Sequence, residues 1–132
     1  METTVAQNDW SAILHDPNLN LLELRWLPTT SDVTDAAFMA TLCLYVWEAE
    51  TLRPTSLLIG ALDFRHQFEG DLTEWRYANI IPRYGAAGCR KFAFEMPKGF
   101  PVEDKEEIEG PAVFPTKYFH DRGDALTWLA QP

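Results

Sequence analysis

Polar and apolar positions alternate from Asn20 to Leu27: Leu22, Leu24 and Trp26 share one face, while Glu23 and Arg25 take the other. That period of two predicts a strand with one wetter side. Trp10 to His15 predicts a shorter strand before it. Asp16-Pro17-Asn18 makes the turn between them, because Pro presets φ and Asp and Asn bond back to nearby backbone. The chain therefore opens with a β-hairpin, and residues 1–9 are expected as a loose N-terminal tail. Pro28 closes the second strand. Thr30 or Ser31 offers an N-cap, with Asp32 and Asp35 in the first turn of a helix running from about Asp32 to Leu52, short of Pro54. At 100° per residue, Phe38, Leu42, Tyr45, Val46, Ala49 and Leu52 form its core stripe. Ala36, Met39, Ala40, Cys43 and Trp47 lie roughly opposite, where a surface helix normally carries Lys and Glu.

Ser56 to Phe64 is apolar at almost every position before Asp63. Such a run suits a central strand covered on both faces, with parallel neighbours. A polar loop, 65–70, follows. Asp71 and Glu74 then resemble a capping box opening a second helix, which carries Leu72, Trp75 and Ala78 inward and which Pro82 ends or kinks. Residues 83–88 read as a short turn closed by Gly88. Arg90 to Met96 alternates again, with Phe92, Phe94 and Met96 on one face. Prolines and glycines bound the acidic stretch 97–113, which reads as a solvated loop. Phe114 to Phe119 is the last strand, and Asp121 caps a final helix packing Ala125, Leu126, Trp128 and Leu129 on the sheet. The order ββαβαββα predicts a single α/β domain (α+β mixed) over residues 1–132: a mixed sheet of about five strands with flanking helices.

Composition narrows the partners. With 11 basic against 20 acidic residues the net charge is −9, and Lys and Arg nowhere gather into a stripe. Nucleic acid and anionic membrane surfaces are both disfavoured. The longest uncharged apolar run, Ala36 to Trp47, is too short to span a bilayer. The first residues have neither the basic nor the apolar region of a secretory signal, so the expected location is cytoplasmic. Cys43 and Cys89, far apart and without a CxxC, read as buried reduced thiols.

Catalytic motifs are not evident. Gly85-Ala86-Ala87-Gly88 precedes a strand, whereas a phosphate loop follows one and opens a helix. There is no GxSxG elbow, and His15, His66 and His120 lack metal-ligand spacing. Neither an enzyme nor a cofactor is expected. One constellation stands out at the loop edge. If the strands ending at Asp63, Met96 and Phe119 run parallel, their following loops bring Asp63, Arg65, His66 and Arg122 towards one edge, where open α/β sheets bind ligands. The two Arg side chains would favour a small anionic ligand there.

Three segments resemble the SpoIIAA-like branch of the STAS superfamily. They are Leu57-Leu58-Ile59-Gly60-Ala61-Leu62-Asp63-Phe64, Gly88-Cys89-Arg90-Lys91-Phe92-Ala93-Phe94, and Phe114 to Phe119 taken with Ala125-Leu126-Thr127-Trp128-Leu129. The resemblance implies a STAS-like fold with a binding or regulatory role and no catalysis. Relatives that antagonise anti-sigma factors are switched by phosphorylation at a helix start matching Gly70-Asp71-Leu72-Thr73. This chain lacks their Asp-x-Ser-Gly sequence, and carboxylates flank Thr73, so no phosphoswitch is expected at that residue. The leading functional expectation is a protein-interaction module that self-associates as a homodimer through Met39, Cys43 and Trp47. The opening hairpin or the 97–113 loop is the alternative cover for that helix face. A carrier or sensor of a small molecule or lipid at the loop edge is the alternative function.

Overall fold

In the computed structural model, which describes residues 2–132, the chain opens with three antiparallel strands: β1 (Thr3–Asn8), β2 (Ser11–Asp16) and β3 (Leu21–Trp26). The expected hairpin is β2–β3. Its turn forms as read, with Asp16 Oδ1 accepting from the Asn18 and Leu19 amides at 3.0 and 3.3 Å. The segment expected as a loose tail is instead an edge strand. Its side chains are mostly exposed, so no hydrophobic alternation betrays it, and a register shift between Thr4 and Ala6 breaks what period there is. Backbone pairing to β2 holds it, and Asn8 Nδ2 donates to Thr41 Oγ1 at 3.0 Å.

Residues Pro28–Asp32 form a 3-10 turn, so helix α1 (Asp35–Leu52) starts later than the sequence suggested, capped by Thr34, whose Oγ1 accepts from the Ala37 amide at 3.1 Å. Thr30 is fully buried and serves as a tie rather than a cap. Its hydroxyl donates to the Leu27 carbonyl and accepts from the Arg65 amide, both at 2.8 Å. Strand β4 (Ser56–Gly60) is buried at all five positions, as a central strand covered on both faces should be. Next come α2 (Thr73–Asn79) and α3 (Ile81–Ala86). Pro82 sits in the first turn of α3, where its missing N–H costs nothing, so the expected turn at 83–88 is mostly helix. Gly88 ends that stretch at φ 104°, a conformation open to glycine. Strands β5 (Lys91–Glu95) and β6 (Thr116–Phe119) follow, and α4 (Arg122–Ala130) closes the chain, capped by Asp121.

The fold is mixed α/β. Among the described residues, six strands lie in chain order, antiparallel from β1 to β3 and parallel from β3 to β6, with helices flanking them. The sixth strand is β1. One face of the sheet meets α1 and α3 across the larger core, in which Ile13, Leu22, Leu24, Leu57 and Phe92 pack against Leu42, Tyr45 and Tyr84. The Tyr45 hydroxyl, fully buried, donates to the Leu22 carbonyl at 2.7 Å. The other face is covered by α4, where Leu21, Leu58 and Ala93 meet Ala125, Trp128 and Leu129.

The parallel half needs three crossovers. The first carries α1 and the second carries α2 and α3. The third, residues 97–115, carries no helix. The third crossover therefore brings no helix of its own over the α1-side face of β5 and β6.

Candidate functional site

Where the third crossover lacks a helix, a cavity of about 390 Å³ opens on the α1 side of the sheet. The alternation read in the sequence builds its floor, with Phe92, Phe94 and Met96 from one face of β5 and its extension and Tyr118 from β6. The floor rings stack along β5 and across to β6. Phe92 and Phe94 lie 5.0 Å apart between centroids, and Phe94 and Tyr118 lie 4.8 Å apart at 13°. Helix α1 supplies Phe38 and Leu42 from its core stripe, and Trp26 stacks on Phe38 at 5.2 Å. The segment after β4 supplies Ala61, Phe64 and Phe68. Offset-stacked and edge-to-face contacts are the favoured arrangements of aromatic pairs, so the rings of the walls support one another.

Residues 61–72 form an irregular strap along one side of the opening. The carboxylate of Asp35, in the first turn of α1, fastens it. Asp35 accepts from the Gly70 amide at 3.0 Å, the Glu69 amide at 3.1 Å and His66 Nε2 at 2.6 Å. The His66 bond above all, and then the two amides, hold this carboxyl below its usual range. His66 itself packs against Phe38, Phe64 and Phe68. Two aromatic rings at the rim, Phe68 and Phe100, remain 46% and 45% exposed although both line the cavity. Both are large apolar rings half in water at the mouth of an apolar chamber.

Polar groups at the opening are few. Asp71 and Thr73 stand exposed at the start of α2, where Asp71 Oδ1 accepts from the Thr73 amide at 2.9 Å. Arg76 lines the cavity one turn further on, and its Nη1 donates to Glu109 Oε1 at 3.0 Å. Burial, reinforced by Glu109, pushes the Tyr118 phenol above its ordinary value, so the hydroxyl stays protonated.

The four residues expected to converge do not share one surface. Asp63, Arg65 and His66 belong to the strap. Its backbone is tied to Thr30, and His66 is turned onto Asp35. Arg122 lies across the sheet on the α4 face, with Nη2 donating to Glu23 Oε1 at 2.7 Å and to Glu2 Oε2 at 3.2 Å. Glu23 is 1% exposed and also accepts from Arg25 Nε at 3.0 Å. Gly60 leaves room for this cluster, because a Cβ there would stand 3.3 Å from Glu23 Oε2 and 3.7 Å from Glu95 Oε1. Of the proposed interface residues, Cys43 is exposed, Trp47 is 55% exposed, and Met39 packs half-buried against the larger core. Cys89 is buried, and burial pushes its thiol up to about 12. Among the described residues, no three His, Cys, Asp or Glu side chains cluster as a metal site would require, and no helix is long and apolar enough to cross a membrane.

The sequence places Phe38 and Leu42 on a core stripe and Phe92, Phe94 and Met96 on one strand face, without showing that they line a chamber. It assigned Leu72 inward and placed Asp71 and Thr73 at the start of a helix, and all three border the opening. Compared with protein-family models, with curated proteins and with solved structures, the chain gives no match in any of the three.

Proposed function

We propose that this protein is a non-catalytic binding domain whose aromatic cavity takes up a small, largely apolar molecule. The observation that carries this reading is a chamber of about 390 Å³ whose rim exposes Phe68 and Phe100. Engineered cavities of about 150 Å³ hold benzene, so this one has room for roughly 15 non-hydrogen atoms. The charged groups of the lining, Asp71 and Arg76, stand at the opening, which suits sequestration or sensing of an amphipathic molecule. A STAS-like assignment agrees with such a role, and the mixed sheet with flanking helices supports it at the level of architecture.

The test is calorimetric titration with 1-naphthalenemethanol, a neutral bicyclic alcohol. One equivalent should bind the wild type. Ala61→Phe and Leu42→Phe, which place new bulk in the chamber, should each weaken binding at least tenfold while keeping the wild-type circular dichroism. Undiminished affinity in both folded variants would remove the cavity from consideration.

A second reading rests on a different observation. Among the described residues, none covers the face of α1 bearing Ala36, Ala40, Cys43 and Trp47. We propose homodimerisation through this face, since small residues beside an exposed Trp let a second helix approach closely. Light scattering should then show a dimer that Trp47→Glu converts to a folded monomer. A monomeric wild type at high micromolar concentration would end this reading.

A further inference from the structure

The cavity's charges select the sign of its guest. Arg76 is the one cationic side chain in the lining among the described residues, and Glu109 already occupies it at 3.0 Å. Both side chains of that pair are largely buried, at 25% and 16% exposure. An anionic ligand would have to draw Arg76 away and leave the Glu109 carboxylate without its partner in a poorly solvated place, which is costly. Asp71 also lines the cavity, exposed at its mouth. No basic side chain of the described residues stands within ion-pair distance of it. The Thr73 amide and hydroxyl hold its carboxyl below the usual range, so it is ionised at neutral pH. The rim rings Phe68 and Phe100 present π-systems, and a cation over such a face is attracted by the ring quadrupole. The net charge of −9 adds a long-range field with the same preference.

Resting on the binding reading above, we infer that the natural ligand is a cationic amphiphile. Its apolar body fills the chamber, and an amine or quaternary ammonium head sits at the mouth between the Asp71 carboxylate and the rim aromatics. This sign is opposite to the one that Arg65 and Arg122 suggested in the sequence. Arg122 lies on the other face of the sheet, and the lining's own guanidinium is already paired.

Three probes with one body and different heads test the inference: 1-naphthylmethylamine, 1-naphthalenemethanol and 1-naphthoate, each titrated calorimetrically at low ionic strength. The amine should bind tightest, by roughly tenfold over the alcohol, and the carboxylate weakest. Asp71→Asn keeps an acceptor for the Thr73 amide but loses the charge, so it should reduce the amine's preference over the alcohol and leave the alcohol unchanged. Equal affinities for all three probes, or a preference for the carboxylate, would overturn the charge inference while the cavity reading survived. An amine preference unchanged in Asp71→Asn would overturn the role of Asp71 and with it this inference. Failure of all three probes to bind would overturn both readings together.

Discussion

Arg122 is the residue on which ligand binding and structure make opposite forecasts, so Arg122→Ala is the informative substitution. Its guanidinium donates to Glu23 at 2.7 Å, and Glu23 is 1% exposed on the α4 face. Removing one partner of a buried ion pair costs about 3–5 kcal/mol, because the other charge is stranded. Two features lower that figure here. Arg122 keeps 35% of its side chain in solvent, and Arg25 Nε stays on Glu23 at 3.0 Å after the change. The Nε of Arg122 is also buried without a hydrogen-bond partner among the described residues, an expense that alanine removes. About 2 kcal/mol of net destabilisation remains. For a chain of this length that corresponds to a fall in Tm of about 6–10 °C.

Thermal unfolding followed by circular dichroism measures the loss. Arg122→Ala combined with Glu23→Gln should recover part of it, since the stranded charge is then gone, and the cycle should show coupling of about 1–2 kcal/mol. Titration of the cavity probes should give wild-type affinities in Arg122→Ala, because the residue and the cavity lie on opposite faces. A Tm within about 2 °C of wild type would refute the electrostatic argument. Unchanged stability with lost ligand affinity would instead restore Arg122 to a binding site.

Two further outcomes follow from neighbouring groups. Burial first, and then the charge of Glu23, hold the Glu95 carboxyl above its ordinary range, so its ionised form opposes folding; Glu95→Gln should raise Tm at neutral pH, and the gain should shrink as pH falls through that raised value, since wild-type Glu95 is then neutral too. Asp35 is the reverse case: its lowered pKa means that its hold on the strap is complete above the usual carboxylate range and lost as pH falls through the lowered value. Asp35→Ala should speed hydrogen exchange at the Glu69 and Gly70 amides and leave Leu58 in β4 unchanged, and equal protection in both proteins would show that the strap is held by other contacts.

The parallel centre of the sheet was legible because burial on both faces leaves a direct mark. Leu57-Leu58-Ile59 cannot be exposed on either side, and β4 is buried throughout. Helix α1 was legible by its stripe, though its start was misplaced. Thr30 has the chemistry of a cap, but its hydroxyl turns inward to Leu27 and Arg65, and Thr34 caps instead. That choice depends on where the strap runs, which is not local information. Strand β1 left no mark, because an edge strand held by backbone pairing carries no required pattern in its side chains.

The cavity was illegible for a different reason: it arises from an element that is missing. Phe92, Phe94 and Met96 alternate as core residues do, and nothing in that alternation says whether a helix or a loop lies above them. The stretch 97–113 was correctly read as irregular. Its meaning appears only once β5 and β6 are known to be parallel neighbours, because a parallel crossover usually brings a helix to cover the strands it joins. The residues expected at the loop edge failed to converge for a related reason. Loops following successive parallel strands share an end of the sheet but not a face. The β4 loop turns towards α1, whereas the β6 connection leads into α4 behind the sheet. A charged residue at a strand end therefore carries two unknowns, which end and which face, and parallel strand direction resolves only the first. His66 and Arg122 meet that limit directly. One packs on Phe38 at the cavity's side, and the other grips Glu23 across the sheet.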